Sequence, residues 1–262
     1  MPRFAANLSL LFTEWAPLDR FAAARAAGFQ GCELLFPYDH AAADLAQAAE
    51  AAVLPVVLIN TPGGNWAGGE RGVAAIPGCE ARFRDEFDQA LAMAGALGAG
   101  LLHVLAGVLT GLAEGAAARA TYVDNLRWAS ARAAASNPAL RLTIEPINGH
   151  DMPGYFLRDF AEAQAILAEI AAPNLGLQFD AYHAQRITGD ARAAWDDLDM
   201  MPLHVQVAGV PGRHEPQSGE IDFPAFFSQL DTGGYAGWVS AEYHPKRSTT
   251  EGLGWLREAS RG

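Results

Sequence analysis

The sequence predicts one (β/α)8 TIM barrel spanning residues 1–262, an expectation that three observations carry. Short aliphatic runs alternate with longer Ala- and Leu-rich stretches from one end of the chain to the other, the pattern that produces parallel sheets. The runs number eight, and the chain of 262 residues is close to the roughly 250 of a typical barrel. No G-x-G-x-x-G or G-x-x-x-x-G-K-[ST] turn follows the first run, where a nucleotide-binding open sheet places one. A doubly wound open sheet is therefore the weaker alternative.

The first run is Phe4–Leu11. The N-terminus has a faint look of a secretion signal, but Asn7 and Ser9 interrupt it. Thr13-Glu14-Trp15 then stands where a small-residue cleavage site belongs. The Asn7-Leu8-Ser9 sequon accordingly reads as strand. Leu18, Phe21, Ala22 and Arg25 have helical spacing and close on Gly28, a glycine suited to a C-terminal cap. The next runs are Gly31–Phe36 and Leu54–Asn60, followed by a helix marked by Phe83, Phe87 and Leu91 and closed by Gly98. Gly100–Ala106, Leu140–Ile147, Leu175–Asp180, Leu203–Ala208 and Gly237–Glu242 complete the set, with no linker or low-complexity break between them.

Composition narrows the partners. Eighteen basic against 30 acidic side chains give a formal charge of −12, which repels a phosphate backbone, so nucleic acid is excluded as a partner. Apolar stretches such as Val56 to Ile59 fall far short of the roughly 20 residues of a membrane span. Cys32 and Cys79 form neither a C-x-x-C pair nor a thiolate cluster, which suits a reduced, cytoplasmic setting. Nothing in the sequence bears on a homo-oligomer, which stays open.

The chemistry is concentrated at the carboxyl ends of the last four runs, which end on Glu145, Asp180, Gln206 and Glu242. These lie 35, 26 and 36 residues apart, one βα unit each, so a barrel brings all four to one mouth. Any one of them taken alone reads best as a cap for the following helix; four in succession do not. Three converging carboxylates repel unless a cation or protons offset the charge. An oxygen-rich donor set with no thiolate favours Mg²⁺ or Mn²⁺ over zinc.

Several stretches extend this pattern: Phe4–Phe12, Glu33–Tyr38, Asn60 through Gly72, Glu145–Asn148 with Asp151–Phe156, Asp180–His183, and Gln206 through Pro216. Over nearly the whole chain they make it resemble the hydroxypyruvate isomerase family of the xylose-isomerase-like barrels. The resemblance implies that Glu145 and Glu242 are the acid/base pair and also bind metal, with Asp180 and Gln206 completing the coordination. Related sugar epimerases carry histidine at the position of Gln206, so the glutamine favours the isomerase branch. The implied reaction interconverts hydroxypyruvate and tartronate semialdehyde through an ene-diolate. Isomerisation of 2-oxo-tetronate, ketose 3-epimerisation and a metal-binding sugar-acid sensor without turnover are the alternatives.

A small hydroxy-oxo acid needs a cation for its carboxylate. Arg213 and Arg71, both flanked by glycine, are the candidates, Arg213 the stronger. His183, three residues past Asp180, is a candidate substrate hydrogen-bonding group. His103 and His204 read as core histidines satisfied inside the barrel. His214-Glu215 matches half of a zinc-deaminase signature whose cysteine half is missing. Trp66, in a glycine-rich loop, is a candidate lid.

Overall fold

Strands buried on both faces read as continuous apolar runs and pair in parallel. The eight strands of the computed structural model, which describes residues 2–109 and 115–260, do so throughout. They are β1 (Arg3–Asn7), β2 (Gly31–Leu34), β3 (Val56–Asn60), β4 (Leu101–His103), β5 (Arg141–Ile144), β6 (Leu175–Asp180), β7 (His204–Val207) and β8 (Trp238–Ala241). They follow one another in order around a closed barrel, β8 pairing back onto β1. Around it lie α1 (Asp19–Ala26), α2 (Ala42–Ala51), α3 (Glu80–Leu97), α4 (Gly115–Ser136), α5 (Phe160–Ile170), α6 (Ala181–Thr188), α7 (Ala191–Asp196), α8 (Phe223–Thr232) and α9 (Gly254–Ala259). The expected (β/α)8 architecture is the one observed. Gly98 ends α3 in the left-handed region (φ 64°), as a C-terminal cap requires. Among the described residues no helix is long and apolar enough to cross a membrane.

Most strands are shorter than the apolar runs that announced them. Leu8–Leu11, Val104–Ala106 and Glu145–Ile147 continue their runs but have left the ladder. Leu8, Leu11, Val104 and Ile147 are nonetheless buried, so apolar composition there reports burial rather than pairing. Leu10, Leu105, Glu145 and Ile147 of these continuations line one cavity at the carboxyl ends of the strands.

Alternation along each strand sends one side chain to the helices and the next to the barrel axis. On β6, Phe179 points outward and packs at ring-centroid distances of 5.3 Å on Phe160 of α5 and 5.3 Å on Trp195 of α7. Phe4 of β1 meets Phe227 of α8 and Trp255 of α9 in the same way. Inside, a small apolar plug of Ala5, Val57, Leu58 and Leu101 closes the amino-terminal end. Above it the interior turns polar: Asn7, Glu33, His103, Thr143, Gln178, His204 and Gln206 are all buried. Barrel interiors are usually layered with branched aliphatics, so this lining departs from the ordinary packed core. The carboxyl ends of the strands are where that polarity leads.

The outward aromatic layer fastens the helices to the barrel. Phe179→Ala is expected to lower unfolding free energy by about 3–5 kcal/mol, measured by denaturant titration. A loss under about 1 kcal/mol, the level of a conservative core swap, would show that the layer is not what holds α5, α7 and α8 in place.

Candidate active site

Glu145 stands one residue past β5, Asp180 closes β6, Gln206 is within β7, and Glu242 stands one residue past β8. Asp180 and Gln206 are register partners on adjacent strands. All four side chains are buried, and the structure brings them to one mouth of the barrel together with His183 and Arg213. Asp180 serves two purposes at once. Its Oδ1 accepts the Tyr182 backbone N–H at 2.8 Å and caps α6, while its Oδ2 lies 3.1 Å from Arg213 Nη2. The same carboxylate thus caps α6 and faces the arginine at the mouth.

A continuous hydrogen-bonded chain links the four. Gln178 Nε2 donates to Glu145 Oε2 (3.2 Å) and to Gln206 Oε1 (2.8 Å), and Thr143 donates to Gln178 Oε1. Gln206 Nε2 then donates to Glu33 Oε1 at 2.9 Å, crossing the barrel from β7 to β2. Asn7 Nδ2 donates both to Glu33 Oε1 (2.9 Å) and to Glu242 Oε1 (3.2 Å). Arg213 Nη2 closes the chain, lying 2.5 Å from Glu242 Oε2 and 3.1 Å from Asp180 Oδ2. Arg213 reaches this position with a left-handed backbone (φ 52°), uncommon for a non-glycine residue. Its carbonyl is held by the His244 N–H at 2.8 Å.

Sequence reasoning missed Glu33, Gln178 and Asn7 as parts of this network. The signal for Glu33 was a carboxylate in the middle of an apolar run. His204 is only half satisfied: its Nε2 lies 2.8 Å from Glu33 Oε2, while among the described residues its buried Nδ1 has no hydrogen-bond partner. His103 likewise corrects the expectation of a satisfied core histidine: its Nδ1 lies 3.6 Å from Glu145 Oε2, and among the described residues its buried Nε2 has no hydrogen-bond partner. The sequon residue Asn7 is fully buried and spent on the two glutamates.

His183, on the first turn of α6, has its Nδ1 2.6 Å from Asn148 Nδ2 and 3.4 Å from the Asn148 backbone N–H. Both are donors, so Nδ1 accepts and the ring proton sits on Nε2, which lies 3.6 Å from Asp180 Oδ2. Arg71 is placed differently from Arg213. Its guanidinium lies over the Trp66 ring at 3.8 Å and donates to the Trp66 and Glu70 carbonyls, so it braces its own loop. Trp66 itself packs at a tilt against Phe36, ring centroids 5.1 Å apart, and lines the cavity above the carboxylates, a space of about 350 Å³ also lined by His183, Arg213 and Glu242.

The electrostatics follow from burial. Burial, then repulsion from Asp180 and Glu242, holds the Glu145 carboxyl well above the usual range. Burial lifts Glu242 to about 8 against the downward pull of Arg213. Burial likewise raises Asp180, again opposed by Arg213. Burial keeps His183 neutral well below its ordinary range and drops His103 to about 3. Arg213 stays charged because Glu242 and Asp180 outweigh the cost of burying it.

A cation fits this arrangement. Glu145, Asp180 and His183 each offer a ligand-type atom within 4.8 Å of one another, and Glu145 Oε1 is buried with no partner among the described residues. His183 is the poorer ligand of the three, since its Nε2 carries the proton. Carboxylate and amide oxygens are donors for a hard divalent metal.

A family model described as xylose isomerase-like TIM barrel matches residues 21–259. The chain is 50% identical over 258 residues to a 2-oxo-tetronate isomerase of Cupriavidus necator, covering 98% of each. It is 38% identical over 256 residues to the hydroxypyruvate isomerase of Escherichia coli, again covering 98% of each. A solved structure titled AP endonuclease, family 2, from Brucella melitensis superposes with a TM-score of 0.94 at 43% identity, covering 98% of this chain and 99% of that one.

The raised carboxyls have a consequence for stability. Glu242 is protonated in the folded chain up to about 8 but only to its ordinary 4.5 once unfolded. Between those values the folded state holds the extra proton, so its contribution is complete at the acidic end and is lost as pH rises. Above about pH 7 histidine is neutral in both states and does not mask the effect. Chelator-treated protein is therefore expected to melt at progressively lower temperature from pH 7 to 8.5, and Glu242→Gln to flatten the slope. A melting temperature that rises across that interval would contradict the assignment.

Proposed function

The chain belongs to the xylose isomerase-like TIM barrel family, in the branch of the hydroxypyruvate and 2-oxo-tetronate isomerases, and from that premise we propose that it isomerises a short hydroxy-oxo acid by proton transfer between adjacent carbons. The observation that carries the reading is the pair Glu145 and Glu242. They are buried, set one residue past β5 and β8, and face one cavity from different sides of the barrel.

Moving a carbonyl to the neighbouring carbon requires taking a proton from the carbon that bears the hydroxyl. In hydroxypyruvate one proton leaves C3, one is delivered to C2, and the hydroxyl proton passes between the two oxygens. The product is tartronate semialdehyde, and the ene-diolate lies between them. No external oxidant or reductant is needed. One glutamate takes the carbon-bound proton and the other supplies its replacement. Their surroundings differ, since Arg213 is paired with Glu242 and Gln178 donates to Glu145. Unequal proton affinities of this kind are what a relay between two carboxyls needs.

Glu145, Asp180, Gln206 and Glu242 would hold a divalent metal, Mg²⁺ or Mn²⁺. Bound there, it supplies Lewis-acid stabilisation of the negative charge that develops on the substrate oxygens. Gln206 still has a lone pair on Oε1 for this purpose after accepting from Gln178. Arg213 offers the substrate carboxylate a planar guanidinium, and His183, which lines the cavity, offers its Nε2–H to a substrate oxygen. Trp66 over the cavity keeps water from the exposed intermediate. Arg71 acts through Trp66 rather than on the substrate.

Proton exchange from solvent into hydroxypyruvate and 2-oxo-tetronate, followed by NMR in deuterated water with Mn²⁺ or Mg²⁺, tests the assignment. Glu145→Gln and Glu242→Gln are each expected to lower exchange by at least about a thousandfold, within the range general acid–base groups contribute. Both should keep the fold by circular dichroism. Turnover like that of the unaltered protein in either variant, or undiminished turnover in chelator, would remove that glutamate or the metal from the mechanism.

A further inference from the structure

The wall of the cavity away from the carboxylates is formed largely by apolar side chains, including Leu10, Leu35, Phe36, Leu105 and Ile147. Two polar side chains interrupt it. Asn60 ends β3 and His103 ends β4, and the two are register partners on adjacent strands. Both line the cavity, yet Asn60 is 6% and His103 1% exposed. Among the described residues Asn60 Oδ1 and His103 Nε2 have no hydrogen-bond partner, whereas the buried amides of Asn7, Gln178 and Gln206 are all tied. A buried polar atom left unpaired is costly, and its persistence calls for a ligand that satisfies it.

We propose that Asn60 and His103 form a subsite for one hydroxyl on the carbon beyond the two that exchange the carbonyl, which fits the site to a four-carbon 2-oxo acid ahead of a three-carbon one. The proposal rests on the isomerase reading above. His103 adjoins Glu145, with Nδ1 3.6 Å from Glu145 Oε2, while Arg213 adjoins Glu242 on the far side of the reacting carbons. A substrate whose carboxylate is held by Arg213 and whose reacting carbons lie between the glutamates directs its other end at β3 and β4. A hydroxyl there donates to Asn60 Oδ1 and pairs with His103 Nε2, covering both atoms at once. Hydroxypyruvate ends at its reacting carbon and leaves them bare. A ketose with several distal hydroxyls finds one polar pair and otherwise an apolar wall, so one extra hydroxyl is what the site accommodates.

The test compares three acids by proton exchange in deuterated water with Mn²⁺ present: hydroxypyruvate, 3,4-dihydroxy-2-oxobutanoate, and its 4-deoxy analogue 3-hydroxy-2-oxobutanoate, which replaces the hydroxymethyl with a methyl. kcat/KM for the dihydroxy acid should exceed that of the deoxy acid by at least about tenfold, because two buried polar groups would otherwise face a methyl. Asn60→Leu should bring that ratio to within about twofold of one, since it removes the acceptor the hydroxyl uses. Binding gives a second readout without turnover: 2,3,4-trihydroxybutanoate should raise the melting temperature more than 2,3-dihydroxybutanoate, and Asn60→Leu should remove the difference. Equal kcat/KM for the dihydroxy and deoxy acids in the unaltered protein, or a ratio unmoved by Asn60→Leu, overturns the subsite and leaves the isomerase reading standing. No exchange into any of the three acids overturns both.

Discussion

Four carboxylates, Glu33, Glu145, Asp180 and Glu242, are buried at one end of this barrel, and their mutual repulsion is the constraint around which the rest is arranged. A buried carboxylate left unpaired costs several kcal/mol, and attraction repays this only where geometry and hydrogen bonds are good. Arg213 offsets part of the charge by lying against Asp180 and Glu242 at once. Amides offset more: Asn7 and Gln206 donate to Glu33, and Gln178 to Glu145. What is left over appears as carboxyls that hold their protons well above the ordinary range. A site in this condition takes up either protons or a divalent cation, and both serve proton transfer next to a carbonyl.

The scaffold explains why such a cluster is tolerated. An apolar plug at the amino-terminal end and an outward aromatic layer bury the surface that stabilises the fold, leaving the upper interior to polar side chains. Parallel strands in sequential order place each strand end one unit along from the last, so chemistry added at four strand ends converges without distorting the ladder. Gln206 shows the economy of an amide in this setting. It donates to one carboxylate, accepts from a second amide and keeps a lone pair, whereas an imidazole in one tautomer offers a single donor and a single acceptor.

How much of this was legible in the sequence divides along physical lines. The barrel was legible because strands buried on both faces have to be apolar throughout, and eight such runs leave few ways to close. Glu145, Asp180, Gln206 and Glu242 were legible because polar residues that end apolar runs at one-unit spacing have a common destination in a barrel. Glu33 and Gln178 were harder, because a polar residue inside a run gains meaning only when its cross-barrel partner is known, and Glu33 meets Gln206 from 173 positions away. The strand ends ran long because burial continues past the last ladder bond. The partnerless nitrogens of His103 and His204 leave no trace in the sequence, which carries no record of which ring nitrogen finds a partner. Arg71 and Arg213 are both loop arginines beside glycine, Arg213 the stronger candidate; loop geometry sends Arg71 onto Trp66 and Arg213 between two carboxylates.

The most direct test of the account is calorimetric titration of Mn²⁺ into metal-free protein at pH 7, repeated in two buffers of different ionisation enthalpy. A site whose carboxyls are held protonated by burial and repulsion should bind one ion per chain and release protons as it does so, giving apparent enthalpies that differ between the buffers. Failure to bind, or identical enthalpies in the two buffers, would contradict the claim that this cluster of buried carboxyls is a cation site whose charge the fold has left to be balanced.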